Sequence, residues 1–188
     1  MNREAWLADA VSRLRPLIEA AVVASGYATI AVLPRVWVSV GWPKGHRGRG
    51  RAIGQCWSGT HSADKAPHVF ISPELTLPEI VLATLVHELI HAAVGSSHRG
   101  AFVEVARAVG LVRPWTATTA GPELGAKLTE AAKALGPYLH ASLAPLVTAS
   151  KPGSRLRRWV CECGIKVRVA SDVFMAECMR CGKEFKRQ

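Results

Sequence analysis

Apolar residues near the start of the chain recur at helical spacing between positions 3 and 25. The residues that share one face are Trp6, Leu7, Ala10, Leu14, Leu17, Ile18 and Ala21. This spacing predicts an amphipathic helix, and Gly26 is expected to end it.

Three further helices are predicted downstream. Pro78 suits a first helical turn, so one helix is expected from Pro78 to Val94, ending near Gly95. This segment is apolar on almost all sides, which is typical of a buried helix. The next helix is predicted from Gly100 to Val109. Residues 121–140 are dominated by Ala, Leu, Lys and Glu and predict a fourth.

Short segments rich in Val, Ile and Trp predict strands within residues 28–42 and 51–57. The segment between them is rich in Gly, Lys and Arg and predicts a hairpin loop. The sequence HVFIS, residues 68–72, predicts another strand. Together with the helices, these strands predict an α+β fold.

The length of 188 residues and the hydrophobic content of 49% suffice for one core and a small appended module. Residues 146–156 include Pro152 and Gly153 and show no clear period. We expect this segment to link a domain of residues 1–145 to a smaller one of residues 157–188.

No membrane segment is expected in this chain. Its start carries Arg3, Glu4 and Asp9 and lacks the apolar stretch of a secretory signal. The longest apolar region is interrupted by charged residues, Gly and Pro, whereas a span needs about 18 uninterrupted apolar residues. An odd number of cysteines, five, favours a reducing compartment. We therefore expect a cytoplasmic protein, associated with the nucleoid if its host is a bacterium or a phage.

The net charge of +10 is concentrated in two places. Residues 44–51 hold four basic residues and no acid, and residues 151–188 hold ten basic residues against four acids. Concentrated positive charge favours polyanions through counterion release. The alternative is that this charge serves solubility alone.

His87, Glu88 and His91 form an HExxH sequence within the predicted buried helix. Residues four apart lie on one helix face, so both imidazoles point towards one place at a spacing that suits Zn²⁺. Glu88 lies at the edge of that face, where it can move a proton from a water to the leaving amine of a peptide. The alternative is that the histidines are core residues bonded to the backbone. Buried polar side chains need partners, however, and one metal ion satisfies all three.

A catalytic zinc commonly has three protein ligands and one open position. His98 is the leading third ligand, because the chain can turn near Gly95 and bring His98 back to the helix. Glu104 is the rival, because some zincins use a glutamate from a following helix. Sequence spacing leaves both open.

The other candidates are weaker. His68 begins the strand that is expected to line the cleft, where it could contact substrate. Tyr138 and His140 could supply a transition-state hydrogen bond, although a packed helix is the simpler expectation for both. Cys56 is expected to be an ordinary small buried residue rather than a nucleophile.

Four of the five cysteines form two short pairs near the end of the chain, separated by fourteen residues: Cys161, Cys163, Cys178 and Cys181. This spacing predicts a zinc ribbon that holds one structural Zn²⁺. Gly164 and Gly182 each follow a pair, where a tight turn needs freedom in φ.

The segment HVFISPELTLPEIVLATLVHELIHAAVGSSHRGAFVEVARAVGL, residues 68–111, resembles the SprT-like metallopeptidases, the family of Spartan and the bacterial SprT proteins. The pattern is I-S-P-x-L, a helix with HExxH, and then a histidine followed by Gly and Phe, here His98, Gly100 and Phe102. The resemblance implies a zincin-like domain whose small β-sheet packs on the HExxH helix. It also implies a catalytic zinc bound by His87, His91 and His98, with Glu88 as the base. Such proteins often carry a zinc ribbon after the protease domain.

The resemblance further implies a zinc endopeptidase that acts on proteins bound or crosslinked to DNA. The residues expected to contact DNA are basic: Lys44, Arg47, Arg49, Arg51, Arg155, Arg157, Arg158, Lys166 and Arg168. Trp159, Phe174 and Phe185 could stack on bases, but a small core of the ribbon is their expected role. Two alternatives stay open: a non-catalytic DNA-binding zinc protein of the SprT-like family, and a general metallopeptidase indifferent to DNA.

Overall fold

The computed structural model describes residues 2–27, 32–41, 52–139, 141–143 and 156–188. The chain divides into two compact units, Met1–Pro145 and Leu146–Gln188. The first unit is mixed α+β, with helices α1 (Arg3–Ala24), α2 (Pro78–Val94), α3 (Ala101–Val109) and α4 (Pro122–Leu135). Among the described residues, no helix is long and apolar enough to cross a membrane.

The predicted starts and ends of α1, α2 and α3 agree with the structure to within one residue. Asn2 caps α1, because its side chain accepts a hydrogen bond from the Ala5 amide at 2.8 Å. The prediction for α4 was too long at its end, since the helix stops at Leu135. Gly136 there has φ of +75°, and Pro137 follows. Neither residue continues a helix, because the first leaves helical φ and the second has no amide donor.

The first unit contains a three-stranded sheet of β1 (Trp37–Val40), β2 (Gly54–Trp57) and β3 (His68–Ile71). The predicted hairpin between the first two strands is wrong, because the strand order is β1-β3-β2. Strand β3 pairs parallel with β1 and antiparallel with β2. The central position suits β3, whose Val69 and Ile71 are fully buried, and it leaves β2 at an edge.

Helix α2 lies at the centre of this unit. It contacts α1, α3 and α4 and also the strands β2 and β3. Its residues 84–90 are all buried, including His87 and Glu88. A helix surrounded in this way holds its polar side chains in fixed positions, because close packing leaves them few alternative rotamers.

A two-stranded sheet follows α3, formed by β4 (Leu111–Val112) and β5 (Thr119–Ala120). The turn that joins these strands, residues 113–118, reaches the histidines of α2. Gly110 and Gly121 approach closely there, since a Cβ on Gly121 would lie 2.9 Å from the Gly110 carbonyl oxygen.

The second unit contains a three-stranded antiparallel sheet, ordered β7 (Lys166–Val169), β6 (Arg157–Val160) and β8 (Lys186–Arg187). Trp159 is buried, and ring contacts at centroid distances of 5.7 and 5.8 Å connect it through Phe174 to Phe185. The three aromatic residues therefore form a small core of the second unit, as expected.

Candidate metal centre and cleft

Two elements of the first unit bring three histidines together. His87 and His91 lie one turn apart on α2, and His98 lies in the connection from α2 to α3. Gly95 ends α2 with φ of +98°, and Gly100 precedes α3 with φ of +53°. These left-handed conformations favour glycine, and they let a connection of six residues turn His98 back to the helix.

The three Nε2 atoms form a triangle whose sides are each 3.1 Å. Atoms at the corners of such a triangle lie about 1.8 Å from its centre, so one point just outside their plane is about 2.05 Å from all three. Zinc–imidazole bonds have this length. The three histidines can therefore hold a metal ion such as zinc through their Nε2 atoms.

The second nitrogen of two rings is occupied by a hydrogen bond. His91 Nδ1 donates to the Gly95 carbonyl at 2.9 Å. His87 Nδ1 lies 2.8 Å from the Thr118 hydroxyl, to which it donates when Nε2 faces the other rings. A protonated Nδ1 leaves the lone pair on Nε2, which is the form that binds a metal. Burial lowers the pKa of His87 to about 3, so this ring stays neutral at physiological pH.

Phe102 of α3 forms the apolar side of the histidine cluster. Its ring is stacked on His91 at a centroid distance of 4.4 Å and lies 4.9 Å from His87 and 5.0 Å from His98. Phe102 is only 1% exposed, and it therefore restricts the rotation of all three imidazoles.

Glu88 is 5% exposed and lines the same cleft as the three histidines. The Cys56 backbone N–H donates to its carboxylate, which stabilises the charged form. Burial outweighs this bond and raises the pKa of Glu88 to about 8. A dication held by the nearby histidines would favour the carboxylate and lower that pKa.

The cleft has a volume of about 320 Å³ and is open to solvent. One part of its lining is the edge strand β2 with the two residues before it, and another is the turn of residues 116–118. A Cβ on Gly54 would lie 2.6 Å from Glu88 Oε1 and 2.7 Å from Thr84 Cγ2. Glycine at this position lets the strand approach α2 closely enough for the Cys56 amide to reach Glu88.

Glu104 takes no part in the histidine cluster. It is exposed on α3 and accepts a hydrogen bond from the Tyr27 hydroxyl at 2.7 Å. The group of potential metal ligands that the structure brings together at α2 is His87, His91 and His98.

The four cysteines of the second unit also lie together. Cys161 Sγ is 3.2 Å from Cys181 Sγ, and Cys163 Sγ is 3.5 Å from Cys178 Sγ. All four sulfurs lie within 4.8 Å of one another. A tetrahedral zinc with bonds of 2.3 Å needs sulfur separations of about 3.8 Å, which fall in this range. This cluster can therefore hold a second metal ion such as zinc.

Tight turns position these sulfurs. The Gly164 amide donates to the Cys161 carbonyl at 2.8 Å, and the Gly182 amide donates to the Cys178 carbonyl at 2.8 Å. Both glycines have positive φ, +88° and +64°, as the sequence predicts.

The two faces of the sheet in the second unit differ in how their charges are compensated. On one face, Asp172 binds both Arg157 and Arg187, at 2.7 and 3.2 Å. On the other face, Arg158 lies directly opposite Arg168 and beside Lys166, and all three are exposed. No acid of the described chain forms an ion pair with these three residues.

The structure separates the remaining candidates from the cleft or does not describe them. His68 contacts the Ser62 hydroxyl at 3.2 Å and does not line the cleft, and Tyr138 packs on Trp6 with a centroid distance of 4.8 Å. Cys56 does line it, but burial raises the pKa of its thiol to about 12, which disfavours the reactive thiolate. The candidates outside the described residues are His140, Lys44, Arg47, Arg49, Arg51 and Arg155.

Sequence reasoning assigned no role to Thr118, Gly54 or Phe102. Thr118 and Gly54 come from segments far from α2 in the chain, and neither carries a local pattern that indicates a site. Phe102 could have been found, because it belongs to the His-x-Gly-x-Phe element that carries the resemblance.

Comparison with known proteins found no match to a family model, to a curated protein or to a solved structure.

Proposed function

We propose that this chain is a zinc-dependent endopeptidase that acts on proteins bound or crosslinked to DNA. The observation that carries the proposal is the triangle of Nε2 atoms, 3.1 Å on each side, in one open cleft with Glu88. Three ligands leave a fourth position for substrate or water, whereas a structural zinc site is closed. A buried carboxylate beside such a site can act as a general base, whereas a site that only retains a metal has no need of one.

His87, His91 and His98 would hold the zinc, which lowers the pKa of water and polarises a peptide carbonyl when bound. Glu88 is the general base in this mechanism. It takes a proton from the attacking water and then donates it to the leaving amine. The Cys56 amide positions the carboxylate for both steps, because it holds the group at one place in the cleft.

The edge position of β2 supports a peptide as the substrate. In the described part of the chain, β2 pairs with β3 on one side only, and residues 52–56 line the cleft. An extended peptide can add to a free strand edge through main-chain hydrogen bonds, which require no particular side chain. Cleavage of unfolded segments in varied proteins follows from this arrangement.

We assign the chain to the SprT-like metallopeptidases, with a zincin-like domain followed by a zinc ribbon. The assignment rests on the I-S-P-x-L, HExxH and His-x-Gly-x-Phe elements. It is supported by the contacts that the last element makes, since His98 joins the histidine cluster and Phe102 packs against it.

The ribbon would bring the peptidase to DNA. Like charges directly opposite in a sheet are destabilising, so the pair Arg158 and Arg168 favours an anionic partner. The aromatic rings of the ribbon pack in its core rather than on this face. The contact would therefore be to phosphates and independent of base sequence.

The test compares the full chain with its Glu88→Gln variant on casein and on a DNA-bound histone, with zinc content measured for both. We expect cleavage by the wild type, faster for histone when DNA is present, and no cleavage by the variant at unchanged zinc content. Equal cleavage by both proteins would refute the mechanism.

The ribbon face also allows a second function, a DNA-binding adaptor without catalysis. DNA binding without any cleavage would support it. Replacing Arg158 and Arg168 with Gln should make the plot of log DNA affinity against log salt concentration less steep. The change should correspond to about two fewer counterions released on binding. Arg157→Gln is the matched control and should change the steepness less, because Arg157 is already paired with Asp172. A wild-type affinity with little salt dependence would instead favour a peptidase indifferent to DNA.

A further inference from the structure

A second cavity of about 410 Å³ opens beside the catalytic cleft. The two share Cys56, His91 and Ser96 in their walls. A peptide that crosses the histidines can therefore place a neighbouring side chain in this second cavity, which we call the side pocket.

The side pocket combines an apolar interior with a polar opening. Pro67 is buried, and Pro34 and Ala92 are half-buried. The residues of its lining that carry hydroxyl or ammonium groups are all exposed: Ser58, Thr60, Lys65 and Ser96. Among the described residues, no acid lines the pocket, so a cationic side chain would find no partner among them.

The loop that forms one wall of the side pocket is closely packed and hydrogen-bonded. A Cβ on Gly59 would lie 2.0 Å from the Lys65 carbonyl oxygen, so the backbone packs tightly at that point. Asp64 accepts hydrogen bonds from Trp37 Nε1 at 2.7 Å and from the Ala66 amide at 3.1 Å. A wall held in this way is preorganised, and binding loses little affinity to ordering it.

We infer that the side pocket binds an aliphatic side chain of the substrate next to the scissile bond. The inference rests on the proposed peptidase function and adds a preference to it. Proline and alanine walls offer contact area to a residue such as leucine. The hydroxyl and ammonium groups of the lining lie at the exposed opening, where water already solvates them, so they add little for a polar side chain. A glycine at the same substrate position leaves the pocket empty and gains nothing.

Peptide binding tests the pocket without catalysis. The full-length, zinc-loaded Glu88→Gln protein is titrated with a fluorescent Gly/Ser peptide that carries one leucine, and with the same peptide without it. We expect a Kd about tenfold lower for the leucine peptide, from burial of the side chain. Ala92→Met, which extends a side chain into the pocket, should remove this difference. Ala93→Met is the control, because Ala93 is half-buried on the same helix and lines neither cavity.

Cleavage sites provide the second measurement. Wild type and both variants digest denatured casein, and mass spectrometry maps the cut bonds. An aliphatic residue at one fixed position should be enriched for wild type and Ala93→Met and lost for Ala92→Met. Circular dichroism and zinc content confirm that each variant folds, and Ala92→Ser, which leaves the pocket open, should keep the enrichment.

The outcomes separate the two claims. Equal affinity for both peptides, or identical profiles for Ala92→Met and Ala93→Met, would overturn the pocket. Leucine-dependent binding without any cleavage by the wild type would retain the pocket as a peptide site and refute the proposed peptidase.

Discussion

Replacing Glu88 with Gln should make the metal-free protein more stable, and more so as the pH rises. Glu88 has a pKa of about 8 in the folded protein against an ordinary value of 4.5, because it is buried. The folded state therefore binds a proton more tightly than the unfolded state. Stability from this group is complete below pH 4.5 and is lost as the pH rises towards 8.

The size of the effect follows from the two pKa values, since one pKa unit corresponds to 1.36 kcal/mol. Relative to a side chain that cannot ionise, Glu88 lowers the free energy of unfolding by roughly 2 kcal/mol at pH 6 and roughly 4 kcal/mol at pH 8, because the unfolded state ionises it and the folded state does not. Glutamine has nearly the same shape, cannot ionise, and can still accept from the Cys56 amide. The stability advantage of Glu88→Gln should therefore grow by about 2 kcal/mol between these pH values.

Urea unfolding of the chelated full-length chain measures this difference. Circular dichroism at helical wavelengths reports the first unit, because every helix of the described residues lies within Met1–Pro145. Comparing two proteins at each pH cancels the titration of the histidines, which both retain. Glu79→Gln, in the exposed first turn of α2, is the control and should change stability by less than about 0.5 kcal/mol.

A stability difference between wild type and Glu88→Gln that is the same at pH 6 and pH 8 would refute this reasoning. It would mean that Glu88 ionises freely in the folded protein, so that the close packing around Gly54 and Cys56 does not hold it from water. With zinc restored the advantage should shrink, because the cation compensates the carboxylate.

Three further predictions concern the metal sites and the strand beside them. His98→Ala should reduce bound zinc from two ions per chain to one, while Glu104→Ala should leave two. Metal analysis of the purified proteins measures this, and the reverse result would make Glu104 the ligand. Cys178→Ser should release the ribbon zinc and unfold the ribbon while the helical circular dichroism is kept, because a module this small depends on its metal; a retained second zinc would contradict this. Gly54→Ala should destabilise the chain by about 1–3 kcal/mol in urea unfolding, because the added methyl group meets Glu88 and Thr84. It should also reduce peptidase activity, and wild-type activity would show that the strand can move away freely.

The sequence alone predicted the helices of the first unit and the chemistry of both metal-ligand groups. These features depend on residues that are near in the chain. A period of 3.6 specifies which face of α1 is buried, and a spacing of four places His87 and His91 on one face of α2. The short cysteine pairs are equally local, since each forms one turn.

The tertiary structure decided what depends on residues far apart in the chain. It placed β3 between β1 and β2, where local patterns predicted a hairpin, because burial of Val69 and Ile71 favours the centre of the sheet. It also brought Thr118 to His87 and the Cys56 amide to Glu88.

The same distinction applies to the choice between residues that could serve the same role. Spacing could not separate His98 from Glu104, or Arg158 from Arg157, because each pair has similar chemistry and lies nearby in sequence. Packing separates them: His98 meets the other imidazoles while Glu104 bonds to Tyr27, and Asp172 pairs with Arg157 but not with Arg158. Sequence therefore determined which side chains were available for a metal and a polyanion. Only the fold determined which of them remain free to bind, because a side chain's partners are set by contacts between distant segments.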